Sequence, residues 1–308
     1  MRGSALAISV QLAGLVLAPL LPGLIQTLKA RLQGRRGASP LQPYRELRRL
    51  WRKRVVAPND STFVYRTAPS LAAAALACAV LVVPVGGASI GWLGTDMLVL
   101  VGLLALARLT MTAAAWDPGS GFSLMGAGRD LLFAVFAEPL LLLTLLLLAL
   151  GAGSSDLIAM VLSANDGAIA STPAHWCAAV GLALLVLVET GRQPIDNPDT
   201  HLELTMVHEG PLLEYAGRDL AMLQWVAAAR HWVMLVLAAG LFVPTPVGAG
   251  PALSLLVLGA AVVVFCAGVA LVETSLVKMR ILRVPLLLGA GCVTCLLGLV
   301  SWIAAGGA

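Results

Sequence analysis

Charge is what this sequence has least of. Asp, Glu, Lys and Arg make up 12% of 308 residues, while 59% are hydrophobic. A soluble domain carries about 25% charged residues, so a water-soluble globule is excluded. Strand-like alternation of apolar and polar residues is also missing, which excludes a transmembrane barrel. No glycine-rich dinucleotide fingerprint, phosphate-binding loop or haem-attachment CxxCH is present. The five cysteines, Cys78, Cys177, Cys266, Cys292 and Cys295, all fall within apolar runs. "CVTC" at 292–295 has CxxC spacing, but an iron–sulfur cluster needs about four thiolates at one polar site. The chain is therefore expected to hold no metal or cofactor and to catalyse no redox step by itself.

What remains is apolar sequence in helix-length pieces. A spanning helix needs about 20 mostly apolar residues. Eight such runs lie near 5–28, 69–89, 96–115, 130–151, 173–190, 220–243, 251–275 and 284–305. The fold expected is all-α and polytopic, one membrane domain over residues 1–308. Loop 29–68 holds eleven of the twenty Lys and Arg. Loops 86–95, 152–172 and 244–250 hold none. The positive-inside bias makes the basic side cytoplasmic and, with eight spans, puts both termini outside. The two long cytoplasmic loops are 29–68 and 191–219, and the location expected is the cytoplasmic (inner) membrane. Within the first loop, "PYRELRRLWRKRVV" spaces Leu47, Leu50 and Trp51 as an amphipathic surface helix. The net charge of +4 follows from topology and calls for no nucleic acid.

The few charges inside the runs are expensive, at least ~2.5 kcal/mol each at the centre of the bilayer on the insertion scale. They are Arg108, Glu138, Glu189, Arg230 with His231, and Glu273. Glu138 stands mid-helix beside Pro139, whose missing N–H opens room for water or a polar neighbour. That suits a proton carrier, or alternatively a static ion pair with Arg108 or Arg230. Glu189 precedes Arg192 by one helical turn and can form a local pair with it. The stretch 189–219 holds seven of the sixteen acidic residues. Thr200 and Glu203 match a capping box, predicting a short helix with His201 and His208 on one face. Metal-site order is absent there. Carboxylates and imidazoles so gathered can pass protons or dock a partner.

"GRRGASPLQPYRELRRLWRK", "FAEP" and "ETGRQPIDNPDTHLELTMVHEGPLLEYAGRDLA" together resemble the complex I subunit 1 family over essentially the whole chain. More narrowly they resemble its branch in energy-converting hydrogenases, the formate hydrogenlyase subunit 4 and hydrogenase-4 component C type. The resemblance implies an eight-helix membrane subunit beneath a soluble arm. That arm would carry a nickel–iron large subunit and an iron–sulfur small subunit, with antiporter-like membrane subunits alongside. It implies a glutamate-lined path through Glu138, Glu189, Glu203, Glu209 and Glu214, assisted by Arg108, His201 and His208. Arg35, Arg36, Gln42, Arg192, Asp196 and Tyr215, in the same motifs, are expected at the docking face. A quinone-site subunit of a respiratory NADH dehydrogenase is the alternative. The segment after Glu189 is longer than in quinone-reducing members and bears two histidines, which favours the hydrogenase branch.

Overall fold

A computed structural model describes residues 2–58, 61–86, 94–196, 207–244 and 250–306. Twelve α-helices follow one another: α1 Arg2–Leu17, α2 Leu20–Leu32, α3 Gln42–Trp51, α4 Phe63–Val82, α5 Met97–Trp116, α6 Gly121–Ala152, α7 Leu157–Ser163, α8 Gly167–Ala170, α9 Pro173–Glu189, α10 Gly217–Phe242, α11 Pro251–Ser275 and α12 Val284–Ala304. Six helices are long and apolar enough to cross a bilayer, and the bent α1–α2 pair makes a seventh. α9, at 17 residues, is a shorter apolar helix at the edge of spanning length. The segments coincide with the eight apolar runs.

The first run is not one straight helix. Residues 8–17 and 20–32 meet at 50°, and Pro19 stands at the break. Proline offers no N–H to the Leu15 carbonyl four residues back. Trp225 Nε1 on α10 donates to that oxygen instead, at 3.1 Å. The next carbonyl, Val16, accepts from the Tyr44 hydroxyl of α3 at 2.6 Å. A sequence-encoded kink is thus clamped by two other helices. The amphipathic helix stops at Trp51, short of the expected Val56. The loop expected after α6 folds in part into α7 and α8. The short helix predicted at 201–209 falls mostly outside the described residues, and 207–209 is non-helical.

α10 is the central pillar. In its most apolar 18-residue window 78% of residues are buried, against 22% for the span ending at Ala304. Lipid tails give apolar helices no hydrophobic reason to associate, so close packing of small residues matters. α9 lies against α6 and α12. A Cβ on Gly181 would fall 2.5 Å from Thr144 Oγ1 and 2.8 Å from Cys295 Sγ. All five cysteines are free, and Cys266 and Cys295 are wholly buried.

The basic and acidic loops gather at one end of the bundle. Asp117 takes the Thr62 N–H at 2.6 Å and its hydroxyl at 2.7 Å. Partial desolvation pushes the Asp117 carboxyl up, but these bonds outweigh it and hold the pKa below the ordinary value. Tyr65 and Tyr215 stack with centroids 4.2 Å apart. The Tyr65 hydroxyl donates to the Glu214 carbonyl at 2.6 Å, and the Tyr215 hydroxyl to the Tyr65 carbonyl at 3.0 Å. Burial raises the Tyr215 phenol well above its ordinary pKa, so it remains a donor.

Candidate functional site

Glu189 ends α9, where a carboxylate meets the negative end of the helix dipole. Two buried arginines offset that. Arg108 Nη2 on α5 hydrogen-bonds one carboxylate oxygen, and Arg230 Nη1 on α10 reaches the other at 3.2 Å. Arg108 also reaches Glu138 Oε1 at 3.3 Å and stands 3.7 Å, through Nε, from Asp130 Oδ2. Asp130 is 3.8 Å from His208 Nε2, and His208 Nδ1 is 3.9 Å from Asp196 Oδ2. The result is a row of ionisable groups from the loop into the bundle. Beside it opens a cavity of about 100 Å3, lined among others by Arg108, Asp130, Glu189, His208, Arg230 and His231. That is room for several waters, with polar partners to hold them.

The backbone after Glu189 decides which way the next charges point. Gly191 has φ +59°. Its N–H bonds to Val188 O at 3.0 Å, and Arg192 N–H to Leu187 O at 3.2 Å. This is the paired bonding of a Schellman helix end, which needs a left-handed residue. Arg192 therefore leaves the α9 axis and does not pair with Glu189. Its Nε donates to His231 Nε2 at 3.2 Å and its Nη1 to Glu273 Oε1 at 3.4 Å. His231 Nδ1 lies 2.8 Å from Ala227 O, so Nδ1 carries the proton and Nε2 accepts. Lys29 Nζ sits 3.8 Å from the other Glu273 oxygen. Two buried clusters thus diverge from the end of α9, one around Glu189 and one around Glu273. The 3₁₀ turn Gly210–Leu212 closes over the first. It lies so tightly on α6 that a Cβ on Gly126 would come within 2.8 Å of Gly210 Cα.

A sequence model of NADH dehydrogenase matches residues 5–304. The chain belongs to that family, whose members include subunit 1 of complex I. Within the NADH dehydrogenase family it is 32% identical to formate hydrogenlyase subunit 4 of Escherichia coli, over 94% of this chain and 95% of that one. It is 34% identical to hydrogenase-4 component C of Escherichia coli, over 75% of this chain and 72% of that one. The similarity to a membrane-subunit relative from the NADH-quinone oxidoreductase of Verminephrobacter eiseniae is lower, 24% over 66% of this chain and 58% of that one. Among solved structures, a chain of the archaeal membrane-bound sulfane sulfur reductase shares the fold. Its TM-score is 0.83 at 20% identity, over 97% of this chain and 99% of that one.

The remaining predicted residues of this family member divide sharply. Glu138 joins the row through Arg108, yet its side chain is 42% exposed on the outer surface of the chain taken alone. Glu209 begins the 3₁₀ turn, and Glu214 contributes through its backbone carbonyl to Tyr65. His201 and Glu203 lie outside the described residues. Of the docking residues, Arg35 and Arg36 are exposed. Gln42 Nε2 donates to Glu46 Oε1 at 3.1 Å within α3. Arg192, Asp196 and Tyr215 are buried and take their contacts from this chain. Asp130, Arg230, His231 and Glu273 join the site without being among the predicted site residues. Arg230, His231 and Glu273 are legible as charges inside apolar runs. Asp130 is not, because it opens a run next to Arg129 and reads as a surface pair. Among the described residues no group of three or more His, Cys, Asp or Glu could hold a metal ion.

Proposed function

We propose that this chain is the ion-coupling membrane subunit of an energy-converting, hydrogenase-like complex. It would anchor a soluble arm at the loop end and pass protons between that arm and the rest of the membrane domain. The arm would supply the nickel–iron centre and iron–sulfur clusters, and antiporter-like subunits would lie alongside in the inner membrane. The relatives favour the hydrogenase reading over the quinone-linked one, at 32% and 34% identity against 24%.

One observation carries the coupling role. The Glu189 carboxylate is buried, held by Arg108 and Arg230, and opens on a polar cavity roofed by the 207–212 segment. In a site of low dielectric, a change of charge at the roof is felt strongly by carboxylates and guanidiniums a few ångströms away. A redox change in the arm can therefore shift how Glu189 shares its two arginines, and so the protonation of Asp130, His208 and Glu138. Arg35, Arg36 and Gln42 belong to the outer docking face. Arg192, Asp196 and Tyr215 support that face from behind by fixing the loop. Glu203, Glu209, Glu214 and His201 extend the path towards the arm.

The test is Glu189→Gln in the assembled complex in proteoliposomes. Hydrogen evolution from an artificial donor reports the arm, and a pH-sensitive dye reports translocation. The expected result is electron transfer near the wild-type rate with translocation reduced at least tenfold. Unchanged translocation overturns the reading.

A further inference from the structure

A second cavity, of about 310 Å3, lies away from the charged row, between α3, α4 and α10. Leu47, Trp51, Ala73, Ala221, Met222 and Trp225 line it. The one polar atom among their side chains that could aim into it besides Trp51 Nε1 is Trp225 Nε1, and that N–H is already given to Leu15 O. The groove offers carbon surface. Trp51 is 57% exposed although it stands over this groove, which leaves an aromatic face uncovered at the rim.

The charges of α3 lie beside the groove. Leu47 and Trp51 are four residues apart and share one face. Arg48 and Arg52, each one position further on, share the adjoining face. Arg45 precedes Arg48 by one turn. All three arginines are exposed, and none makes an ion pair among the described residues. The single acidic residue of α3, Glu46, is taken by Arg49 and Gln42. Like charges four apart on a helix repel, so this stripe lacks an anion. A phosphodiester between two guanidinium forks meets that need in geometry and in charge.

We propose that this groove binds an anionic phospholipid, its acyl chain lying on Trp51, Met222 and Trp225 and its phosphate on Arg48 and Arg52. The site stands independently of the hydrogenase reading. It also ties a lipid to the helix whose Tyr44 clamps the α1–α2 bend.

The full-length chain in phosphatidylcholine bilayers gives the test. A tenth of the lipid is replaced by acyl-brominated phosphatidylglycerol or by acyl-brominated phosphatidylcholine. The tryptophan quenching lost in Trp51→Phe isolates the groove signal. The expected result is quenching at least threefold stronger with the brominated phosphatidylglycerol, with the preference fading at high salt. Arg48→Gln with Arg52→Gln, both at exposed positions, should abolish the preference while circular dichroism stays unchanged. Ala73→Leu, which narrows the groove and leaves the arginines, should reduce quenching by the anionic lipid. Equal quenching by the two lipids overturns the proposal, because the groove then meets bulk bilayer only. So does a preference that survives removal of both arginines.

Discussion

Glu273 Oε1, on α11, accepts from Arg192 Nη1 at 3.4 Å, and the carboxylate side chain is wholly sealed from solvent. Lys29 lies on its far side, so one carboxylate serves two cations from α2 and the α9 end. Removing one partner of a buried pair leaves a charge stranded, at a cost of ~3–5 kcal/mol. Glu273→Gln should therefore lower the thermal midpoint of the purified protein clearly. Glu273→Asp should recover part of the loss. The same Glu273→Gln variant frees Arg192 to approach Glu189, which should weaken proton coupling as well. A combined Arg192→Gln change should return coupling towards wild type, and a double-mutant cycle on translocation measures this.

Tyr215 and Tyr65 fasten the acidic loop to α4 by stacking and by two hydrogen bonds to backbone carbonyls. Tyr215→Phe keeps the stack and deletes the bond to Tyr65 O. The expected loss is ~1 kcal/mol. Faster proteolysis within 207–216, with the rest of the bundle unaffected, is the measurement that checks it.

At the opposite end, Asp96 caps α5. It accepts from Ser155 Oγ at 2.7 Å and from Leu98 N–H at 2.7 Å. The Ser155 bond foremost, then the Leu98 bond, holds the carboxyl below its ordinary value. A depressed folded-state pKa contributes stability that is present above the unfolded value, about 3.9, and is lost as pH falls through the folded one. The thermal midpoint should therefore drop on acidification below about pH 4, and the drop should shrink in Asp96→Asn.

The spans are legible in the sequence because lipid demands long apolar runs, and each charge within them announces a buried partner. Partner choice is not legible. Glu189 and Arg192, one turn apart, read as a local pair on a helical wheel. The wheel cannot show that Gly191 ends the helix in a left-handed turn and sends Arg192 to α11. Nor does hydropathy register the bend at Pro19, since α1 and α2 are apolar on both sides of it. The acidic loop's grip on α4 is hidden in Tyr215, which reads as exposed in a polar loop and is buried because Tyr65 lies 150 residues earlier in the chain.

Glu138 supplies the sharpest test of the row. Its carboxylate is half exposed on the outer face of the chain and is bound to Arg108 from one side only, whereas Glu189 is buried and held by two arginines. An exposed pair contributes little to stability, ~0–1 kcal/mol. Glu138→Gln should therefore assemble and melt like the wild type, unlike Glu273→Gln. If the row carries protons, its outward-facing member is where a neighbouring membrane subunit takes them over. Translocation should then fall several-fold while hydrogen evolution from an artificial donor persists. Glu138→Asp, which keeps the charge but shortens the reach, should restore part of the translocation. A variant with full translocation would show that the path leaves this chain without passing position 138.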